Sequence, residues 1–193
     1  QPLDLALSPD TKTLYVTNSG ASSLTALDLA AGTTRRFYLP QVRGGPYGVA
    51  ATRTGLYVTD LNNSRVLALD LSGKEVTRIA VGAQPRSLAL SRDQRRLYAT
   101  SLTRNQLTVI ETARNRVARS IQLPVSGTFA AAVSPDGRRL YLTAHQDSAV
   151  VKRSRSNTYV EFVRSNWSLA DTYVVGSELA YVVVTDYDRN LSP

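Results

Sequence analysis

The 193-residue sequence has no cysteine and no methionine, and only one histidine and one tryptophan. Without cysteine, disulfides, thiol nucleophiles and thiolate-held metals are excluded. The compartment is not thereby fixed, because many exported proteins also lack cysteine. A chain that opens on Gln1 and has no methionine reads as processed or excised. No apolar run approaches the roughly 20 residues of a membrane helix, and no leader segment is visible. A phosphate loop, a nucleophile elbow and a His-rich metal motif are all missing. Lysine is scarce, with 3 Lys against 20 Arg at a net charge of +8. The arginines cluster at Arg35-Arg36, Arg95-Arg96, Arg114/Arg116/Arg119, Arg138-Arg139 and Arg153/Arg155. Such charge suits an acidic partner. Here it recurs once per repeat instead of massing in one segment, which favours a solvated rim over a nucleic-acid surface.

What is present is a repeat. Leu14-Tyr15-Val16-Thr17-Asn18 returns as Leu56-Tyr57-Val58-Thr59-Asp60, Leu97-Tyr98-Ala99-Thr100-Ser101, Leu140-Tyr141-Leu142-Thr143-Ala144 and, loosely, Ala180-Tyr181-Val182-Val183-Val184. The tyrosines lie 42, 41, 43 and 40 residues apart, the period of propeller blades. An apolar strand precedes each phrase, with a turn such as Ser8-Pro9-Asp10 or Ser134-Pro135-Asp136-Gly137, whose residues preset hairpin dihedrals. A period-two strand follows, as in Leu24-Thr25-Ala26-Leu27-Asp28 and Val66-Leu67-Ala68-Leu69-Asp70. A more polar fourth strand ends each unit: Thr33 to Leu39, Glu75 to Val81, Val117 to Leu123 and Tyr159 to Val163. Ala6, Ala50, Ala89 and Ala132 occupy the middle of the first strand, where small side chains suit crowding at an axis. The tyrosines are expected to pack between blades.

The pattern predicts an all-β propeller of four-stranded antiparallel blades. The expected boundaries are 1–43, 44–82, 83–124 and 125–163, with a partial fifth blade over 164–193. Gln1-Pro2-Leu3-Asp4-Leu5 matches Gln84-Pro85-Arg86-Ser87-Leu88, the interior of an inter-blade loop. About four and a half blades are therefore expected to be part of a six- to eight-bladed ring, completed by the same chain or by another, since open arrays leave exposed edges.

Tyr15-Val16-Thr17-Asn18 and Ser134-Pro135-Asp136-Gly137-Arg138-Arg139-Leu140-Tyr141 resemble the motifs of YVTN-family propeller repeats. Tyr57-Val58-Thr59-Asp60-Leu61-Asn62-Asn63-Ser64-Arg65-Val66 is similar to the related NHL repeat. The resemblance covers residues 1 to 150 and implies a propeller that is often exported or surface-attached. After Val150 it degrades: Lys152-Arg153-Ser154-Arg155 stands where an acidic strand end is expected, and Ser165-Asn166-Trp167-Ser168 has no counterpart.

Propellers bind ligands at the axial face, on inter-blade loops and on loops between second and third strands, where a rigid scaffold carries function. His145 lies in one of these loops. It would suit a general base or metal ligand, but without partners it reads as a turn residue. Asp60, Asn62, Asp186 and Asp188 could offer oxygens to Ca²⁺, though Asn and Asp also serve hairpin turns. Arg43, Arg86 and Arg104 are one-off charges in face loops that could meet an anionic ligand. Asp28, Asp70 and Glu111 recur at one repeat position, a structural signature. Asn62-Asn63-Ser64, Asn166-Trp167-Ser168 and Asn190-Leu191-Ser192 fit the glycosylation pattern.

No catalytic constellation converges in the sequence. The expectation is a non-enzymatic binding module, periplasmic, secreted or at the cell surface, that takes a protein or anionic ligand on its axial face and needs no cofactor. The alternative is a propeller enzyme, because YVTN-like propellers resemble lactonases, streptogramin-type lyases and quinoprotein dehydrogenase subunits in fold.

Overall fold

The structure is a computed structural model. It describes residues 1–42, 44–123 and 127–136, the side chains of 140–143, and the backbone of the strands that follow. The first sheet is β1 (Pro2–Leu7), β2 (Thr13–Asn18), β3 (Ser23–Asp28) and β4 (Thr34–Tyr38). The second is β5 (Pro46–Ala51), β6 (Gly55–Asp60), β7 (Arg65–Asp70) and β8 (Glu75–Ala80); the third is β9 (Pro85–Leu90), β10 (Arg96–Ser101), β11 (Gln106–Glu111) and β12 (Arg116–Gln122). In all three the spatial order follows the chain and every pair is antiparallel. Among the described residues the one helical element is a three-residue turn, Ser19–Ala21.

The later strands are β13 (Thr128–Val133), β14 (Arg139–Ala144), β15 (Ala149–Val151), β16 (Thr158–Val163), β17 (Thr172–Val174) and β18 (Ala180–Asp186). The fourth sheet has the order β13-β14-β18-β16, and β15 pairs with β17 apart from it. This departs from the expected partial fifth unit, because β18 fills the third-strand place of the fourth sheet. The physical reason is legible in composition. The four residues after Val151 are Lys152-Arg153-Ser154-Arg155, which cannot supply an apolar alternation, whereas Ala180–Asp186 is a β-branched run that can. β16 keeps its expected outer position.

The sheets pack face to face around an axis. β1 packs on β5, β5 on β9 and β9 on β13, while the outer strands β8 and β12 scarcely touch. Three apolar seams result. Tyr15, Leu24 and Phe37 meet Val49, Leu56, Val58 and Leu67. The far face of the second sheet, with Tyr57, Val66 and Ile79, meets Leu88, Leu97 and Ile110. Tyr98, Leu107 and Val109 then meet Leu140 and Leu142. Ala6, Ala50, Ala89 and Ala132 all lie on axial strands. Tyr15, Tyr57 and Tyr98 are buried as expected, and Tyr141 is half-buried. The outward face of the first sheet is open: Leu5 is 63% exposed where its repeat counterparts Val49 and Leu88 are 3% and 7%.

Turn chemistry repeats with the sheets. Ser8, Ser91 and Ser134 each donate their hydroxyl to the Asp two residues on, at 2.6, 2.6 and 2.5 Å. Asp28 and Asp70 accept backbone N–H groups of their own turns, and Glu111 pairs with Arg114 and Arg116. Their recurrence is thus structural. Ser22, Ser64 and Asn105 take the left-handed conformation at one equivalent turn position.

Candidate functional site

Each axial strand is irregular near its start. The pairing register jumps between Pro2 and Leu5, Pro46 and Val49, and Thr128 and Ala131, and between Ser101 and Ala99 opposite β9. The extra residue is an unpaired bulge that re-aims side chains. Its open N–H groups are taken by the repeated threonine of each second strand. Thr17, Thr59, Thr100 and Thr143 accept from Asp4, Gly48, Ser87 and Ala130, at 3.0, 2.7, 3.0 and 3.0 Å. Thr17 also donates to the Tyr47 carbonyl of the next sheet at 2.6 Å. The threonine of the repeat phrase is therefore a latch that holds the bulge and joins neighbouring blades.

Residues in the first half of each bulge are Leu3, Tyr47, Arg86 and Phe129, equivalent positions of consecutive repeats. The Arg86 guanidinium carbon lies 3.8 Å from the Phe129 ring centroid and 5.2 Å from that of Tyr47. The rings come from the blades on either side of Arg86. Cation–π contacts of this kind contribute about 0.5–2 kcal/mol each. Among the described residues no carboxylate or hydrogen-bond acceptor engages the guanidinium. Arg86 is half-buried and Phe129 is 40% exposed.

The second half of the bulge serves the scaffold. Asp4 Oδ2 accepts the Val49 N–H at 2.9 Å, and Ser87 Oγ accepts the Ala131 N–H at 3.2 Å. Burial pushes the Asp4 carboxyl up from its usual range, against the lowering effect of the Val49 and Leu5 N–H groups. At Gly48 a Cβ would stand 2.5 Å from the Arg86 carbonyl, so this glycine permits close approach of two axial strands.

The other sequence candidates fare differently. Asp60 is fully buried and committed: it accepts from Asn63 Nδ2 at 2.9 Å on both oxygens and from Arg65 Nε at 2.7 Å. Arg65 Nη2 then donates to the Gln41 carbonyl at 3.0 Å, tying the loop after β4 to the second sheet. Asn62 is exposed next to Gly44. Arg104 is exposed in the turn after β10, and Gln122 donates to its carbonyl at 3.1 Å. Neither joins Arg86 in a hydrogen bond or ion pair among the described residues. Arg43, His145, Asp188 and the side chain of Asp186 lie outside the described residues. Among the described residues no three His, Cys, Asp or Glu side chains gather as a metal site requires, and the Asp60 oxygens are already held by Asn63 and Arg65. Sequence reasoning singled out Arg86 and missed Tyr47 and Phe129. Their shared position, directly after Pro46 and Thr128 as Arg86 is after Pro85, was the available signal.

No curated protein matches the sequence significantly. Among solved structures, the chain is similar to Kuenenia stuttgartiensis hydrazine synthase at 23% identity and a TM-score of 0.71, covering 100% of this chain and 57% of that one. The chain thus spans little more than half of that protein. It is also similar to virginiamycin B lyase from Staphylococcus aureus at 14% identity and a TM-score of 0.66, covering 94% of this chain and 79% of the lyase. These likenesses carry the propeller-type fold. The family model described as the SMP-30/Gluconolactonase/LRE-like region matches residues 4–103.

Two expectations are corrected by these matches. The repeats resemble YVTN and NHL phrases, yet the matching family is a different one of the same general fold. The expectation of a non-enzymatic binding module is overturned, because the matching family is one named for a lactonase, which favours the enzyme alternative. The physical reason is that residues meeting at the axial end, such as Tyr47, Arg86 and Phe129, come from separate blades, so no local motif announces them. With residues 4–103, just over half of the chain, matched along the first two sheets and into the third, this protein belongs to the SMP-30/Gluconolactonase/LRE-like family.

Proposed function

We propose that the chain is a propeller enzyme of the lactonase type, with its site at the axial end where the bulged first strands begin. The family match over residues 4–103 carries this reading. The geometry supports its location. The bulges free side chains at equivalent positions of adjacent blades, and Arg86, Tyr47 and Phe129 meet there. Lactone hydrolysis adds water at the acyl carbon, breaks the ring C–O bond and leaves a hydroxy acid. Its transition state places negative charge on the former carbonyl oxygen, which a fixed cation or N–H donor stabilises.

Site residues beyond this cluster belong to the proposal: Arg43, Arg104 and Asn62 as further ligand contacts, and His145 as a proton-transfer group. A Ca²⁺ requirement would draw on Asp186 and Asp188, since Asp60 could contribute only by giving up its ion pair with Arg65. The YVTN-like phrases support an exported or surface location. Among the described residues no helix is long and apolar enough to cross a membrane.

The test is direct. The purified chain is assayed in a pH-stat against a panel of sugar and alkyl lactones, with and without added Ca²⁺, alongside the heat-denatured protein. Acid release above the denatured control on at least one lactone is expected. Release that never exceeds that control, in either condition, would overturn the assignment.

A further inference from the structure

We infer that Arg86 is the anchor for a carboxylate group, so the axial site takes organic anions, and that Tyr47 and Phe129 hold the guanidinium ready for them. The inference rests on the lactonase reading only in placing ligand at the axial end. Its own support is the state of the Arg86 side chain.

A guanidinium has two faces and an edge. The faces are weakly hydrated and stack on rings, and the five N–H donors radiate in the plane. In this chain the ring contacts come from the flanking blades, at 3.8 and 5.2 Å, and the donors are left without protein acceptors among the described residues. Four other arginines, by contrast, spend donors on carboxylates. Arg78 and Arg116 donate through Nε, and Arg114 through Nη1, to a glutamate of their own blade at 2.6, 2.9 and 2.6 Å. Arg65 is locked to Asp60 at 2.7 Å. Arg86 is held by contacts that fix its orientation without using its hydrogen bonds. Packing also restricts its rotamers before any ligand arrives, so less entropy is lost on binding. A carboxylate offers two coplanar oxygens that match the fork, and such bidentate pairs are the strong ones. The exposed part of the Phe129 ring adds an apolar contact for the body of the ligand.

The position is specific to this blade. Leu3, Tyr47 and Phe129 fill the same repeat place and carry no charge. A rim charge would recur with the repeat, as the turn aspartates do. A single cation between two aromatic counterparts breaks the symmetry, which is what recognition of an asymmetric anion requires.

The experiment titrates the full chain with benzoate and with its uncharged ester, methyl benzoate, and follows arginine Nε–H resonances by NMR. The Arg86 signal is identified as the one lost in Arg86→Lys. Benzoate is expected to shift that signal saturably, whereas methyl benzoate leaves it in place at the same concentration. Arg86→Gln, with an unchanged thermal melt, is expected to weaken benzoate at least tenfold, and Arg86→Lys severalfold because the fork is lost. Replacing both rings, Tyr47→Leu with Phe129→Leu, is expected to weaken binding while Arg86 remains. A benzoate titration that never moves the Arg86 signal would overturn the inference. So would equal response to the ester, or affinity in Arg86→Gln within twofold of the parent. If Arg86→Gln fails to fold, the parent titrations with benzoate and ester still decide. Binding is read without turnover, so the two readings fail separately. A dead lactone panel with benzoate bound at Arg86 sinks the lactonase assignment alone, and turnover without benzoate binding sinks this inference alone.

Discussion

Replacing Thr17 by valine isolates the latch that joins the first two blades. The side chain is fully buried, and its hydroxyl accepts the Asp4 N–H at 3.0 Å and donates to the Tyr47 carbonyl at 2.6 Å. Valine has nearly the same shape, so little volume changes. What changes is that a backbone donor in one blade and a backbone acceptor in the next lose their partner. Each unsatisfied buried group costs about 1–3 kcal/mol. Partial relaxation of the bulge recovers some of this, so a total loss of about 2–3 kcal/mol is expected from those terms. For a chain of this size each kcal/mol lowers Tm by roughly 2–4 °C, so a fall of roughly 5–10 °C follows. The control is Thr17→Ser, which keeps the hydroxyl and drops one methyl, at a cost of about 1 kcal/mol. Thermal melts by circular dichroism should therefore rank parent, Ser and Val in descending order. If Val melts with the parent, or above Ser, packing and not the latch holds the bulge, and the reasoning fails.

Three further outcomes are expected. Tyr57→Phe removes the bonds to the Asn115 side chain at 2.5 Å and the Thr112 carbonyl at 3.2 Å and should cost about 1 kcal/mol; Tyr57→Ala leaves a cavity between the second and third sheets and should cost about 3 kcal/mol or more, both read by urea denaturation. Gly48→Ala drives a Cβ against the Arg86 carbonyl, so it should destabilise the fold and displace the Arg86 side chain, with lower Tm and weaker benzoate binding together. Asp4 has its folded pKa raised by burial, so its contribution to stability is fully present below the unfolded value and is lost as pH rises through the folded one. Asp4→Asn should accordingly melt above the parent at pH 7, with the advantage shrinking as pH falls through the carboxylate range; a Tm difference independent of pH would refute this.

The sequence by itself determined the strands, their order in the first three sheets and the inward placement of the tyrosines. Those features follow from local physics: period-two alternation, Ser-Pro-Asp turns that bond their own backbone, and a repeat long enough for four strands. Arg86 was legible as a one-off charge in a regular array. Tertiary structure alone decided three things. Whether Ala180–Asp186 opens a new unit or completes the fourth sheet depends on which apolar strand is available to pair with β14, and the basic run after Val151 is not. Asp60 read as a turn residue able to offer oxygens to Ca²⁺, yet burial beside Arg65 made it half of a committed ion pair. Tyr47, Arg86 and Phe129 lie about 40 residues apart in sequence, as blade repeats do. Only the wrapping of blades about an axis brings one bulge beside the next, because contact there is fixed by packing between sheets and not by pairing within them.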